Sequence, residues 1–138
     1  MSSPTADELA GVPLFAELSQ VDRARIAERF EVRTFAAGQH LTHEDAHGYT
    51  FSVLASGTAD VVVGTEVIAT LRPGDYFGEM SLLFGRQQTA TVAVTTPAVV
   101  WRMFGADFRQ LQQDQPQVAA VIAETAAERR AALPSTEH

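Results

Sequence analysis

Tyr76-Phe77-Gly78-Glu79-Met80-Ser81-Leu82-Leu83-Phe84-Gly85-Arg86-Gln87-Gln88-Thr89-Ala90-Thr91-Val92 carries the strongest structural signal in this 138-residue chain. It follows a turn signal, Pro73-Gly74-Asp75. Gly78 precedes a short apolar run of Met80, Leu82, Leu83 and Phe84, which Gly85 stops. Beyond it Thr89, Thr91 and Ala93 alternate with Ala90, Val92 and Val94, the period of a strand. A glycine followed by one turn of helix presents backbone N–H groups with no intrahelical partner, and their positive end favours an anion. Glu79, in that first turn, can accept hydrogen bonds from hydroxyls but cannot itself hold a phosphate. Together these groups imply a ligand with both a phosphate and a sugar.

Upstream of this stretch the chain reads as short strands punctuated by glycine. The expected strands are Glu31–Phe35, Gln39–Thr42, Tyr49–Leu54, Thr58–Val63 and Glu66–Leu71, followed downstream by Thr89–Val94 and Ala98–Met103. Val63-Gly64-Thr65-Glu66 fits a two-residue hairpin whose first turn residue takes a positive φ. Short strands at this spacing predict an antiparallel sandwich or jelly-roll barrel rather than a parallel sheet. Trp101, alternating with Val99 and Met103, is expected in the core.

Helices are expected at both ends. Thr5-Ala6-Asp7-Glu8 and Ser19-Gln20-Val21-Asp22 each place a hydroxyl three residues before an acid, the pattern of a capped helix start. Val12-Pro13-Leu14-Phe15 interrupts them. From Val21 to Phe30, Val21, Ala24, Ile26, Ala27 and Phe30 recur at helical spacing, which leaves Arg23, Arg25, Glu28 and Arg29 to water. After the strands, Gly105-Ala106-Asp107 begins a helix to about Gln112, and Pro116 opens a second through about Leu133. Along that last helix Val118, Val121, Ile122, Thr125 and Arg129 fall near one face, and alanines fill much of the rest.

The central stretch resembles the phosphate-binding cassette of the cyclic nucleotide-binding domain family. That family includes regulatory subunits of cyclic-AMP-dependent kinases, cyclic-nucleotide-gated channels and the bacterial catabolite activator. Phe77, Gly78, Glu79, Met80, Ser81 and Leu82 match the first half of the cassette, and Thr89, Ala90, Thr91 and Val92 match its end. Ala37-Gly38-Gln39, Ser56-Gly57-Thr58-Ala59 and Leu71 to Gly78 resemble the turns of the family barrel. One departure is sharp: Gln88 stands where the family carries the arginine that pairs with the cyclic phosphate. Replacing a guanidinium by an amide removes a charge and a bidentate donor pair. Arg86, two residues away in an extended stretch, projects to the same side as Gln88 and is the candidate for replacing that charge. A further departure, at His43-Glu44-Asp45, falls where the family usually places a glycine before the acid, and it bears on a local turn.

The resemblance implies a mainly β fold: an antiparallel jelly-roll β-barrel with an N-terminal helical segment and two C-terminal helices. One domain over residues 1–138 is expected, with a lead-in at 5–30, a barrel at 31–104, and hinge and lid helices at 105–133. It also implies a ligand site at Phe77, Gly78, Glu79, Met80, Ser81, Gln88 and Thr89, to which spacing alone adds Arg86, with Glu79 on a ribose hydroxyl and a Thr89 hydroxyl near the phosphate or a guanine amino group.

Composition sets the remaining bounds. A net charge of −7 without a basic run disfavours a nucleic-acid surface and a polybasic membrane patch. With no cysteine there is no disulfide, thiolate zinc site or cysteine nucleophile. His40, His43 and His47 beside Glu44 and Asp45 lack the spacing of a metal-binding barrel, and no paired-carboxylate or Ser-His-Asp arrangement stands out. No secretory start or membrane-length apolar run is visible, so a cytoplasmic location is expected. The expectation is therefore a non-catalytic regulatory or sensor module, with no cofactor and no metal. It would bind cyclic AMP or cyclic GMP with reduced affinity and signal through its last helix to another chain or to itself. The competing expectation is a barrel that has lost the nucleotide and serves as an interaction or dimerisation module.

Overall fold

The computed structural model describes residues 3–41, 44–45, 48–84 and 91–132. Capping chemistry places the first helices. Thr5 caps α1 (Ala6–Ala10) by a reciprocal pair: its hydroxyl accepts from the Glu8 N–H at 3.1 Å, and the Glu8 carboxylate accepts from the Thr5 N–H at 2.8 Å. Ser19 caps α2 (Gln20–Ala27), accepting from the Asp22 N–H at 3.1 Å. Between them Pro13–Phe15 forms a 3-10 turn.

The amphipathic reading of α2 holds only in part. Ile26, Ala27 and the following Phe30 are buried, but Val21 and Ala24 are exposed. Two arginines expected to face water are engaged instead. Arg23 Nη1 donates to the carbonyls of Leu18 and, at 3.2 Å, Ala16, which closes off the end of the 3-10 turn. Arg29 reaches Asp107 at 3.4 Å and Asp114 at 3.7 Å, tying α2 to a helix that follows the barrel.

The strands are β1 (Glu31–Phe35), β2 (His40–Leu41), β3 (Glu44–Asp45), β4 (Gly48–Ser56), β5 (Ala59–Val63), β6 (Glu66–Leu71), β7 (Tyr76–Phe77), β8 (Thr91–Val94) and β9 (Ala98–Phe104). One sheet runs β1-β9-β4-β3 with β7 also on β4, the other β2-β8-β5-β6, and every pairing is antiparallel. This is the expected jelly-roll barrel. The Gly64-Thr65 hairpin is also present: Val63 pairs with Glu66, and Gly64 takes φ +63°. The two-residue strands β3 and β7 were not expected, since a run that short has no period to detect.

Period-two alternation gives the first sheet two buried faces. Phe51, Val53, Trp101 and Met103 turn outward onto the helices, while Leu54, Ala98 and Val100 turn into the barrel with Leu71, Val92 and Val94. Phe51 is the hub of the outer core. Its ring lies 6.4 Å from Phe30, 5.1 Å from Phe108 and 5.5 Å from Tyr76, so the lead-in, the post-barrel helix and β7 all meet one side chain.

The described residues also form α3 (Glu79–Phe84), α4 (Gly105–Asp114) and α5 (Pro116–Ala132). On α5 the buried stripe is Val118, Ile122 and Ala126, spaced i, i+4, i+8. Val121, expected on the same face, is displaced from it and 48% exposed. Val118 and Ile122 are committed to the protein's own core and are not available to a second chain.

Candidate functional site

The site grows from the centre of β4. Gly74 N–H donates to the Leu54 carbonyl and Leu54 N–H to the Asp75 carbonyl, both at 2.8 Å, which pins the turn at 72–75 against the sheet. Asp75 tightens that turn by accepting the Arg72 N–H at 2.8 Å. The chain then pairs as β7, Val53 opposite Tyr76 and Ser52 opposite Phe77. Successive side chains enter opposite cores: Tyr76 packs among the helices and Phe77 inside the barrel.

Gly78 then makes the bend into α3. It takes φ +90°, which L residues rarely adopt. A Cβ there would stand 2.3 Å from the Thr50 carbonyl oxygen. Conformation and space both demand glycine, and the close approach to β4 fixes where α3 begins.

Glu79, the first residue of α3, is 1% exposed. A buried carboxylate needs a partner. It has one: Arg129 of α5 donates through a single nitrogen, Nη1, to both Glu79 carboxylate oxygens at 2.9 Å each. The Arg129 guanidinium also lies over the Tyr76 ring, 5.1 Å from its centroid. The Tyr76 hydroxyl is buried and closes no hydrogen bond of good geometry, although Thr125 of α5 stands beside it. Burial pushes the Tyr76 phenol above its usual value, with Thr125 and Arg129 pulling the other way.

Of the residues expected at the site, Gly78 and Glu79 sit together at the β7–α3 junction, and Phe77 is turned into the barrel core. Met80 and Ser81 lie within α3. Arg86, Gln88 and Thr89 lie outside the described residues, as do His43 and His47. From sequence, Arg129 falls near one face of the last helix but is not among the expected site residues. Its spacing from Ile122 and Thr125 was the available signal, since it put an arginine near the packed face of α5. Among the described residues no helix is long and apolar enough to cross a membrane, and no group of three or more His, Cys, Asp or Glu could hold a metal ion.

Comparison with known proteins bears on the family and the fold. The family model described as the cyclic nucleotide-binding domain matches residues 32–115. A cAMP-dependent protein kinase regulatory subunit of Eremothecium gossypii is 35% identical over 90% of this chain and 27% of its own length. A cyclic nucleotide-gated potassium channel of Mesorhizobium japonicum is 32% identical over 92% of this chain and 35% of its own. The chain thus spans about a third or less of these relatives. Among solved structures, a cAMP-bound PfPKA-R superposes with a TM-score of 0.78 at 24% identity, covering 95% of this chain and 47% of that one, a likeness of fold.

Proposed function

The chain belongs to the cyclic nucleotide-binding domain family, and from that premise we propose that it works as a single, non-catalytic regulatory module that binds cyclic AMP or cyclic GMP. The phosphate sits on the backbone N–H groups from Gly78 to Ser81, at the bend that Gly78 makes possible. Gln88, and Arg86 if it reaches across, contribute side-chain donors, and Thr89 a hydroxyl. Because an amide replaces the usual guanidinium, affinity is lower by about one to two orders of magnitude, the worth of a charge-assisted hydrogen bond of roughly 1.5–3 kcal/mol. Glu79 accepts from the ribose 2′-hydroxyl.

The observation that carries this reading is the Glu79–Arg129 pair. It links the ribose acceptor directly to α5. A ribose hydroxyl arriving at Glu79 alters what Arg129 is bonded to, and so the free energy with which α5 is docked. The ligand shifts that equilibrium only by the difference between its affinities for docked and undocked states. The change is then passed to another protein chain.

A second reading, an interaction module without nucleotide, is favoured by one fact: the Glu79 carboxylate is already satisfied by Arg129. Calorimetric titration separates the two readings. On the first, cyclic AMP binds the wild type, 2′-deoxy cyclic AMP binds more weakly, and the gap closes in Glu79→Ala. Failure of either nucleotide to bind at any concentration favours the second.

A further inference from the structure

A groove of about 580 Å³ runs between α5, the 3-10 turn and the turn at 72–75, and reaches Tyr76. Leu14 and Leu18 line it from the lead-in side. From the other side comes a second stripe of α5, Val121, Thr125 and Arg129, again spaced i, i+4, i+8 and lying beside the buried stripe. The eight residue steps from Val121 to Arg129 span about 12 Å, roughly two turns of helix. Val121 is a large apolar side chain left 48% exposed in the middle of this groove.

The rim carries negative charge. Glu17 lines it and is exposed, and Asp75 lines it from the turn. The cation that lines the groove, Arg129, is committed to Glu79. An apolar floor between helical ridges, edged by carboxylates on a chain of net charge −7, is complementary to one kind of occupant.

We propose that this groove docks a basic amphipathic helix from another protein chain. Its apolar side chains would lie between Leu14, Leu18 and Val121, with lysine or arginine toward Glu17 and Asp75. This names the partner to which α5 reports in the proposed function. It rests on that reading for its coupling to nucleotide, while docking itself needs no nucleotide. An occupant wedged between α5 and the 3-10 turn braces α5 in its docked position, the position that holds Arg129 on Glu79. Partner and nucleotide therefore act on one element.

The test uses the full chain without nucleotide and two synthetic amphipathic helical peptides, one with leucine and lysine faces and one with leucine and glutamate faces. Binding is read by anisotropy, and its location by amide shifts. The leucine–lysine peptide is expected to bind and to shift the 3-10 turn and α5, while the leucine–glutamate peptide does not bind. Val121→Asp should weaken binding by about tenfold or more, although it adds a negative charge that would strengthen any non-specific attraction. Glu17→Lys should weaken it too. Val121 is half exposed, so both variants should keep the wild-type circular dichroism spectrum, and Val121→Lys serves as a second, oppositely charged probe of the same position. Unchanged binding by the Val121 variants, shifts outside the groove, or no binding by either peptide overturns the proposal. So does a wild type that self-associates through a Val121-dependent contact and excludes the peptide, since the occupant is then a second copy. None of these outcomes depends on whether cyclic nucleotide binds.

Discussion

Arg129, on the last helix, holds both carboxylate oxygens of Glu79, 50 residues earlier, through one nitrogen at 2.9 Å. The carboxylate is 1% exposed and the guanidinium side chain 33%, so the pair is buried at one end and wet at the other. That asymmetry lets Arg129 leave toward solvent while Glu79 cannot. Whatever replaces the guanidinium must bring hydrogen-bond donors of its own.

Arg129→Ala should therefore leave a buried carboxylate without its partner. The expected loss is about 3 kcal/mol, the lower end of the range for a broken buried pair, because Arg129 is partly hydrated. In a Glu79→Gln background the same truncation should cost much less. Urea denaturation of the four proteins measures the coupling, and equal losses in both backgrounds would mean the pair is not the source.

The backbone at Gly78 should not tolerate a Cβ. Gly78→Ala combines a left-handed conformation with a 2.3 Å approach to the Thr50 carbonyl, and should destabilise by at least about 2 kcal/mol. Gly64→Ala is the control. It has φ +63° but nothing within 4 Å of the added Cβ, so it should lose only about 1 kcal/mol. Denaturant midpoints of the two variants make the comparison.

Tyr76 predicts an alkaline limb. Its phenol is pushed above the usual 10.0 chiefly by burial, so the folded state keeps the proton longer than the unfolded state. Stability from this group is whole below about pH 10 and is lost as pH rises through the higher folded value. Tyr76→Phe should flatten that limb in a plot of Tm against pH. At neutral pH the variant should match or slightly exceed the wild type, by up to about 1 kcal/mol, since the deleted hydroxyl is buried without a well-formed bond.

Much of this was legible in the sequence, for identifiable reasons. Thr5 and Ser19 announced their helices because capping is local chemistry, complete within four residues. Glu31–Phe35 and Glu66–Leu71 were read to the residue because glycine turns and alternation bound them. What escaped was non-local. β7 exists only because β4 offers it hydrogen-bonding partners. Arg23 and Arg29 read as solvated because the carbonyls and carboxylates they meet come from other segments. Val21 read as buried because periodicity names a face but not how far the surface beneath it extends. At the site, Gly78 and Glu79 stood out through their neighbours, whereas the partner of Glu79 lies 50 residues away, and helical spacing put Arg129 on a face of α5 without naming the acid it meets.

Regulation by a cyclic nucleotide requires that the ligand reach the cassette despite Gln88, and calorimetric titration of cyclic AMP and cyclic GMP into wild type and Gln88→Arg tests that most directly. The substitution should restore the missing ion pair and tighten binding by about one to two orders of magnitude, less the ordering cost of the longer side chain. Arg86→Ala in the wild-type background should lose substantial affinity only if Arg86 already supplies that charge. The predicted result is measurable wild-type binding that Gln88→Arg strengthens. A folded Gln88→Arg protein that takes up neither nucleotide would contradict the account and leave the interaction module in its place.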